Sequence, residues 1–216
     1  MNADHGASKL APGAGPAQGA PPESDGRRRR SQDSRARIVQ AMLELVGEGQ
    51  TAPAAEQVAL RAQVGLRTVF RHFRDVDSLY REMSVIIEAE MLGVVNAPFS
   101  GASWRERVLE LVRRRCGVYE RIAPFLRASH AHRHASPFLA DDLARLARVK
   151  REILLAQLPA AQKEDPVLVE GLDLLLSFSA WDRLRRVQAR ASGETVEILS
   201  DMVRALVERV SGPGAS

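Results

Sequence analysis

From Gln32 onward, apolar side chains recur at three- and four-residue steps nearly everywhere along this chain. Ile38, Ala41, Met42 and Leu45 keep the i, i+3, i+4, i+7 spacing of one buried helical face. Gly47 and Gly49 stop that helix. Thr51 and Pro53 mark a second start, whose inner stripe is Val58, Ala59 and Ala62. After a turn at 63–65, residues 66–73 form a short third helix. Asp75 or Asp77 then caps a longer one reaching about Asn96. The stretch "PFSGAS" breaks the chain at 98–103, and Ser103-Trp104-Arg105-Glu106 reads as a capping box. Pro124, Pro137 and Pro166 each suit a first helical turn, the last two behind Ser136 and Asp165 as caps. A final pair, about 166–191 and 194–210, is parted by Ser192-Gly193. The pattern predicts an all-α fold of about nine helices, with no convincing strand.

Composition adds boundaries. Residues 1–26 are rich in Ala, Gly and Pro and hold almost no large apolar side chains, too few to offset ordering entropy. We expect a disordered tail over 1–30 ending in the basic run Arg27, Arg28, Arg29 and Arg30. An N-terminal helical unit at 31–80 and a larger helical unit at 81–212 complete the expected organisation. The net charge of +4 permits nucleic-acid binding without demanding it, so the placement of charge matters more. The single cysteine, Cys116, excludes an intrachain disulfide and any cysteine-rich zinc site. No apolar run reaches the roughly 18 residues of a membrane span, and no secretory pattern opens the chain. The expectation is a soluble cytoplasmic protein that does not bind membranes.

Residues 63–73, "QVGLRTVFRHF", concentrate the candidate chemistry. On a wheel of 100° per residue, Leu66, Val69 and Phe73 fall on one side; Arg67, Thr68, Arg71 and His72 fall opposite, with Phe70 on the flank. Those polar groups suit phosphate oxygens and the acceptors on base edges. Two helices joined by a three-residue turn, the second carrying such a face, make a helix-turn-helix.

The stretch "VALRAQVGLRTVFRHFRDVDSLYREM", residues 58–83, resembles the tetracycline-repressor (TetR) family of bacterial transcription regulators, whose pattern is roughly I-A-x-x-A-G-V-S-x-x-T-L-Y-x-x-F-x-x-K-x-x-L. Val58, Ala59, Ala62, Val64, Thr68, Val69, Phe73 and Leu79 fit it directly. Four positions depart from it. Gln63 stands where the family commonly has glycine, Gly65 where it has serine, Phe70 where it has tyrosine, and Val76 where it has lysine. Those changes, with Ala54 in place of a frequent hydroxyl residue, put ordinary phosphate contacts in doubt. Arg67, Arg71, Arg74 and the four arginines at 27–30 could compensate. Gly65, Arg67, Thr68, Phe70, Arg71, His72 and Arg74 are therefore the expected DNA-contacting positions. The arginine run is either a flexible arm following the backbone or minor groove, or a solubilising tail.

The resemblance further implies a homodimer on a palindromic operator, and a C-terminal pocket for a small, often apolar effector. Trp104, Tyr119, Phe125, His130, Phe138 and Trp181 are the candidate lining. Leu172, Leu176, Ser179, Leu199, Met202 and Leu206, on the last two apolar stripes, are the candidate dimer contacts. His130, His132 and His134 lack an acidic residue at a spacing that would complete a metal site, so neither metal nor cofactor is expected. No acid–base or nucleophile arrangement supports an enzyme. The alternative reading is a helical ligand-binding protein of the same descent that has lost specific DNA binding.

Overall fold

The computed structural model describes residues 22–209; the side chains of residues 22–25 and 92 lie outside the description. Among the described residues there is no strand, in keeping with the all-α expectation. The order is α1 (Pro22–Gly47), α2 (Ala55–Arg61), α3 (Leu66–His72), α4 (Val76–Val95), α5 (Trp104–His132), α6 (Pro137–Gln157), α7 (Ala160–Lys163), α8 (Pro166–Leu175), α9 (Phe178–Asp182), a π-helical turn (Arg183–Val187) and α10 (Ser192–Arg209).

The caps read from sequence are the ones used. Ser103 Oγ accepts the Glu106 N–H while the Glu106 carboxylate accepts the Ser103 N–H, closing the capping box of α5. Ser136 caps α6 and Asp165 caps α8, each with proline at the start of the helix. Asp75 Oδ1 takes the Ser78 N–H at 2.7 Å, so Asp75 rather than Asp77 opens α4.

Three elements differ from the expected pattern. Pro124 lies inside α5 rather than at a helix start. It removes one backbone donor, but the buried stripe of Tyr119, Ala123 and Ala128 continues across it, so packing carries the helix through. The expected helix over 166–191 is divided, because Ser177 Oγ accepts the Ala180 N–H and starts a new helix there. The arginines at 27–30 are helical, lying in the first turns of α1 rather than on an unstructured arm. Arginine is a good helix former, and no glycine or proline stands between Arg27 and Val46. Residues 22–26 of the expected tail are helical as well, opening α1, while residues 1–21 and 210–216 lie outside the described residues.

Two apolar clusters fill the molecule. The first joins Ile38, Met42, Leu45 and Val46 of α1 to Val58, Val69, Phe73, Leu79, Tyr80 and Met83. Ala128 at the end of α5 and Leu139 at the start of α6 belong to it as well. The second gathers α5, α6, α8, α9 and α10 around Val108, Val112, Tyr119, Leu154, Leu168, Leu172, Trp181 and Val203. The α5–α6 corner therefore grips the N-terminal helices. His132 Nε2 lies 2.8 Å from the Thr51 carbonyl, the Phe138 N–H donates to Asp77, and Arg81 lies over the Phe138 ring.

Candidate nucleic-acid interface

The turn between α2 and α3 is built by three backbone bonds. Ala62 N donates to Val58 O, Gln63 N to Leu60 O at 3.1 Å, and Val64 N to Ala59 O at 3.0 Å. The last two are the paired bonds of a Schellman motif, which places the residue after the C-cap in the left-handed region. Gln63 occupies that position at φ 53°, without the freedom glycine would bring. Gln63→Gly should therefore stabilise the protein by about 0.5–1 kcal/mol, the relieved backbone strain outweighing the extra entropy of the unfolded chain. Urea denaturation checks this, and an unchanged or lower midpoint would contradict it.

Gly65 then caps α3 through its backbone alone, with Thr68 N bonding Gly65 O at 2.8 Å. Val69 and Phe73 are buried and anchor α3 on the first cluster. At its other end Arg35 of α1 reaches across. Its Nη1 donates to the His72 carbonyl at 3.0 Å, its Nε and Nη2 bond Glu82 of α4, and its guanidinium covers the Phe73 ring at 4.6 Å. One side chain thus satisfies an orphan carbonyl of α3 and ties three helices together. Arg35 is mid-helix in α1. The spacing gave no signal of its role, because Glu82 is 47 residues away.

The outward strip of α3 is turned from the one the wheel suggested. Arg67, Arg71 and Arg74 are exposed, as expected. Beside them Phe70 is 56% exposed and Leu66 36%, so the strip is two helical arginines edged by two apolar side chains. Thr68 is half-buried. His72 is corrected more strongly: its Nε2 is buried without a hydrogen-bond partner. Desolvation, then the nearby charges of Arg71 and Arg35, hold its pKa below the usual imidazole range. Near neutral pH its ring is uncharged. Phe73 and Val69 together pull the buried side toward His72 and away from Leu66, which the ideal wheel could not register.

No family model and no curated protein matches the sequence. Solved structures do match the fold. A transcriptional regulator of Streptomyces coelicolor A3(2) superposes with a TM-score of 0.54 at 23% identity, over 79% of this chain and 98% of that one. A TetR transcriptional regulator of Rhodococcus sp. RHA1 superposes with a TM-score of 0.50 at 20% identity, over 82% of this chain and 97% of that one. The chain has the TetR fold.

Within this TetR-like fold the six expected pocket residues do not meet. Tyr119, His130 and Trp181 gather around Phe178, with ring centroids 5.5–5.8 Å apart across the Tyr119–Phe178, Tyr119–Trp181 and His130–Phe178 pairs. Phe125 and Phe138 pack against the first cluster instead, and Trp104 lies at the start of α5 under the Arg105 guanidinium. Trp104 and His130 are 26 residues apart on one helix, about 39 Å along its axis, so no single pocket could hold both. A cavity of about 360 Å³ lies elsewhere, between α4 and α5, lined by Val94, Glu110, Arg113, Arg114, Gly117, Val118 and Arg121.

The expected dimer contacts also divide. Leu172 (0% exposed), Leu176 and Leu199 are buried in the subunit's own core. They are not available to a partner. Ser179 and Met202 are exposed and Leu206 is half-buried. The apolar surface that remains open on this side is Val167 (59%), Leu174 (68%) and Met202 (49%). These flank the closest approach of α8 and α10, where a β-carbon on Gly171 would stand 2.6 Å from Leu206 Cδ2. The three clustered histidines are used separately: His130 stacks on Phe178, His132 bonds Thr51, and His134 is exposed. No helix among the described residues is long and apolar enough to cross a membrane.

Proposed function

We propose that the protein is a sequence-specific, DNA-binding transcription regulator that acts as a homodimer and is released from its operator by a small molecule. One observation carries the reading. A seven-residue helix is fixed at both ends, by the Schellman turn and by Arg35, while its free side offers Arg67 and Arg71 beside Leu66 and Phe70. Arginine forks match the acceptor pair on guanine, and apolar edges suit the thymine methyl group. Fixing the helix before it meets DNA lowers the ordering cost of binding.

One short helix reads too few base pairs for a unique site, so a two-fold pair is the economical solution. The open strip of Val167, Leu174 and Met202 on α8 and α10 is the surface we assign to that pairing. The arginines at 27–30 sit five to eight residues before Arg35, roughly 8–12 Å along the α1 axis from the residue that holds the end of α3. We place them along the phosphates flanking the half-site. Replacing all four with alanine should flatten the salt dependence, by up to about 0.9 in slope for each phosphate no longer neutralised, and leave base preference unaltered. Anisotropy titrations at several salt concentrations measure both; a changed base preference would contradict the placement.

The proposal as a whole is tested by a gel shift with DNA from upstream of the protein's own coding region. Specific retention that survives excess unrelated DNA supports it. Retention removed equally by any DNA would favour a helical ligand-binding protein that has lost its operator.

A further inference from the structure

The C-terminal bundle holds more positive charge than its carboxylates answer. Arg115 on α5 is 8% exposed, and its guanidinium donates to two backbone carbonyls, Leu176 O and Lys150 O. Lys150 on α6 is half-buried and places its ammonium 5.8 Å from the Tyr119 ring centroid. Among the described residues neither cation is ion-paired. The carboxylate that acts on both is Asp173, and it bonds Arg151, which in turn pairs with Glu170. Three cations thus face two anions. Desolvation lowers the pKa of both Arg115 and Lys150; for Lys150 the charge of Arg115 adds to it, with Asp173 opposing.

A further unanswered donor belongs to a side chain packed on the same Tyr119 ring. Trp181 Nε1 is buried with no hydrogen-bond partner, and the indole packs 5.8 Å from Tyr119 and 5.7 Å from Phe178. Arg127 and Arg185 also lie 5.9 Å from that indole, but they are paired with Asp182 and Glu120. The surplus therefore belongs to Lys150 and Arg115. A buried cation without a counter-ion and a buried N–H without an acceptor both cost stability. An anionic acceptor beside Tyr119 answers both at once. The chain around the cluster is also interrupted: α8 ends at Leu175, α9 is five residues long, a π-helical turn follows, and Ala189 stands at φ 52°. Such π-helical turns are frequent at functional sites.

We propose that this cluster binds a small organic carboxylate with a flat apolar body, its anion held by Lys150, Arg115 and the Trp181 N–H, its body against Tyr119, Phe178 and His130. The inference rests on reading the C-terminal bundle as the effector domain. Fork-like arginine donors and an ammonium suit a carboxylate, and stacked rings suit a flat body.

The test is thermal unfolding of the full chain with 1-naphthoate and with its neutral isostere 1-naphthamide. Naphthoate should raise Tm by about 2 °C or more, and naphthamide should need at least a tenfold higher concentration for the same shift. Lys150→Met should raise the Tm of the free protein, since it removes a poorly answered cation, and should abolish the naphthoate shift. With Trp104→Phe, Trp181 is the one remaining indole, and its emission should change saturably with naphthoate. The proposal is overturned by equal response to naphthamide, by no naphthoate shift, or by a Lys150→Met protein that melts lower or fails to fold. The wild-type comparison of the two compounds decides the ligand class without any variant. No DNA enters these measurements, so their failure leaves the operator reading to its own gel shift.

Discussion

Replacing Arg67 and Arg71 together with alanine is expected to lower operator affinity at least about 100-fold while leaving the protein as stable as before. Both side chains are exposed on α3, and alanine is the better helix former, so stability should stay within about 0.5 kcal/mol. A bidentate arginine–base pair contributes about 1–3 kcal/mol of discrimination, and in a two-fold pair of subunits each such interaction disappears twice. Salt dependence separates the roles of the two side chains. An arginine on phosphate, once replaced, takes about 0.9 from the slope of log K against log salt, whereas one on a base leaves the slope nearly intact and relaxes preference at one position. Substituting Phe70 or Leu66 alone should weaken selectivity at thymine without touching the slope. Unchanged affinity and slope in the double variant would remove α3 from the interface.

Leu172→Ala and Leu174→Glu, two residues apart on α8, are expected to fail in opposite ways. Leu172 is fully buried in the subunit's own core, so truncation should cost about 2–5 kcal/mol of stability and leave assembly unchanged among the molecules that fold. Leu174 faces outward, and a glutamate there should leave the isolated subunit's stability nearly as it was. In a paired interface it would bury an unmatched charge, weakening association at least about 100-fold. Because two half-sites are bound through one dimer, operator affinity should fall along with association. Sedimentation and urea denaturation on both variants give the four values needed. A Leu174→Glu protein that stays dimeric would move the interface off this face.

The contrast between these two leucines also marks the limit of what the sequence could convey. Helical periodicity located the elements because burial on one face repeats every three to four residues, whichever partner does the burying. It could not tell which apolar stripe belongs to the subunit and which to a partner. Leu172, Leu176 and Leu199 looked like surplus, yet the subunit's own core buries all three. Local chemistry was legible: the capping box at Ser103 and the caps at Ser136 and Asp165 all rest on neighbours within a few residues. What stayed hidden depends on distant partners. Arg35 is defined by His72 and Glu82, and Arg115 by Leu176 and Lys150; no spacing rule joins them. The aromatic candidates show the same limit, since six residues of one chemical kind were sorted by α5's length into separate neighbourhoods.

The most direct measurement is selection of bound sequences from random DNA by the purified full chain. The account predicts enrichment of a palindrome whose half-sites are centred one helical turn or a multiple apart, with guanines at positions that lose their preference in the Arg67→Ala and Arg71→Ala proteins. Enrichment of a single unrepeated site, or of no sequence at all, would contradict the claim that α3 enters the groove twice.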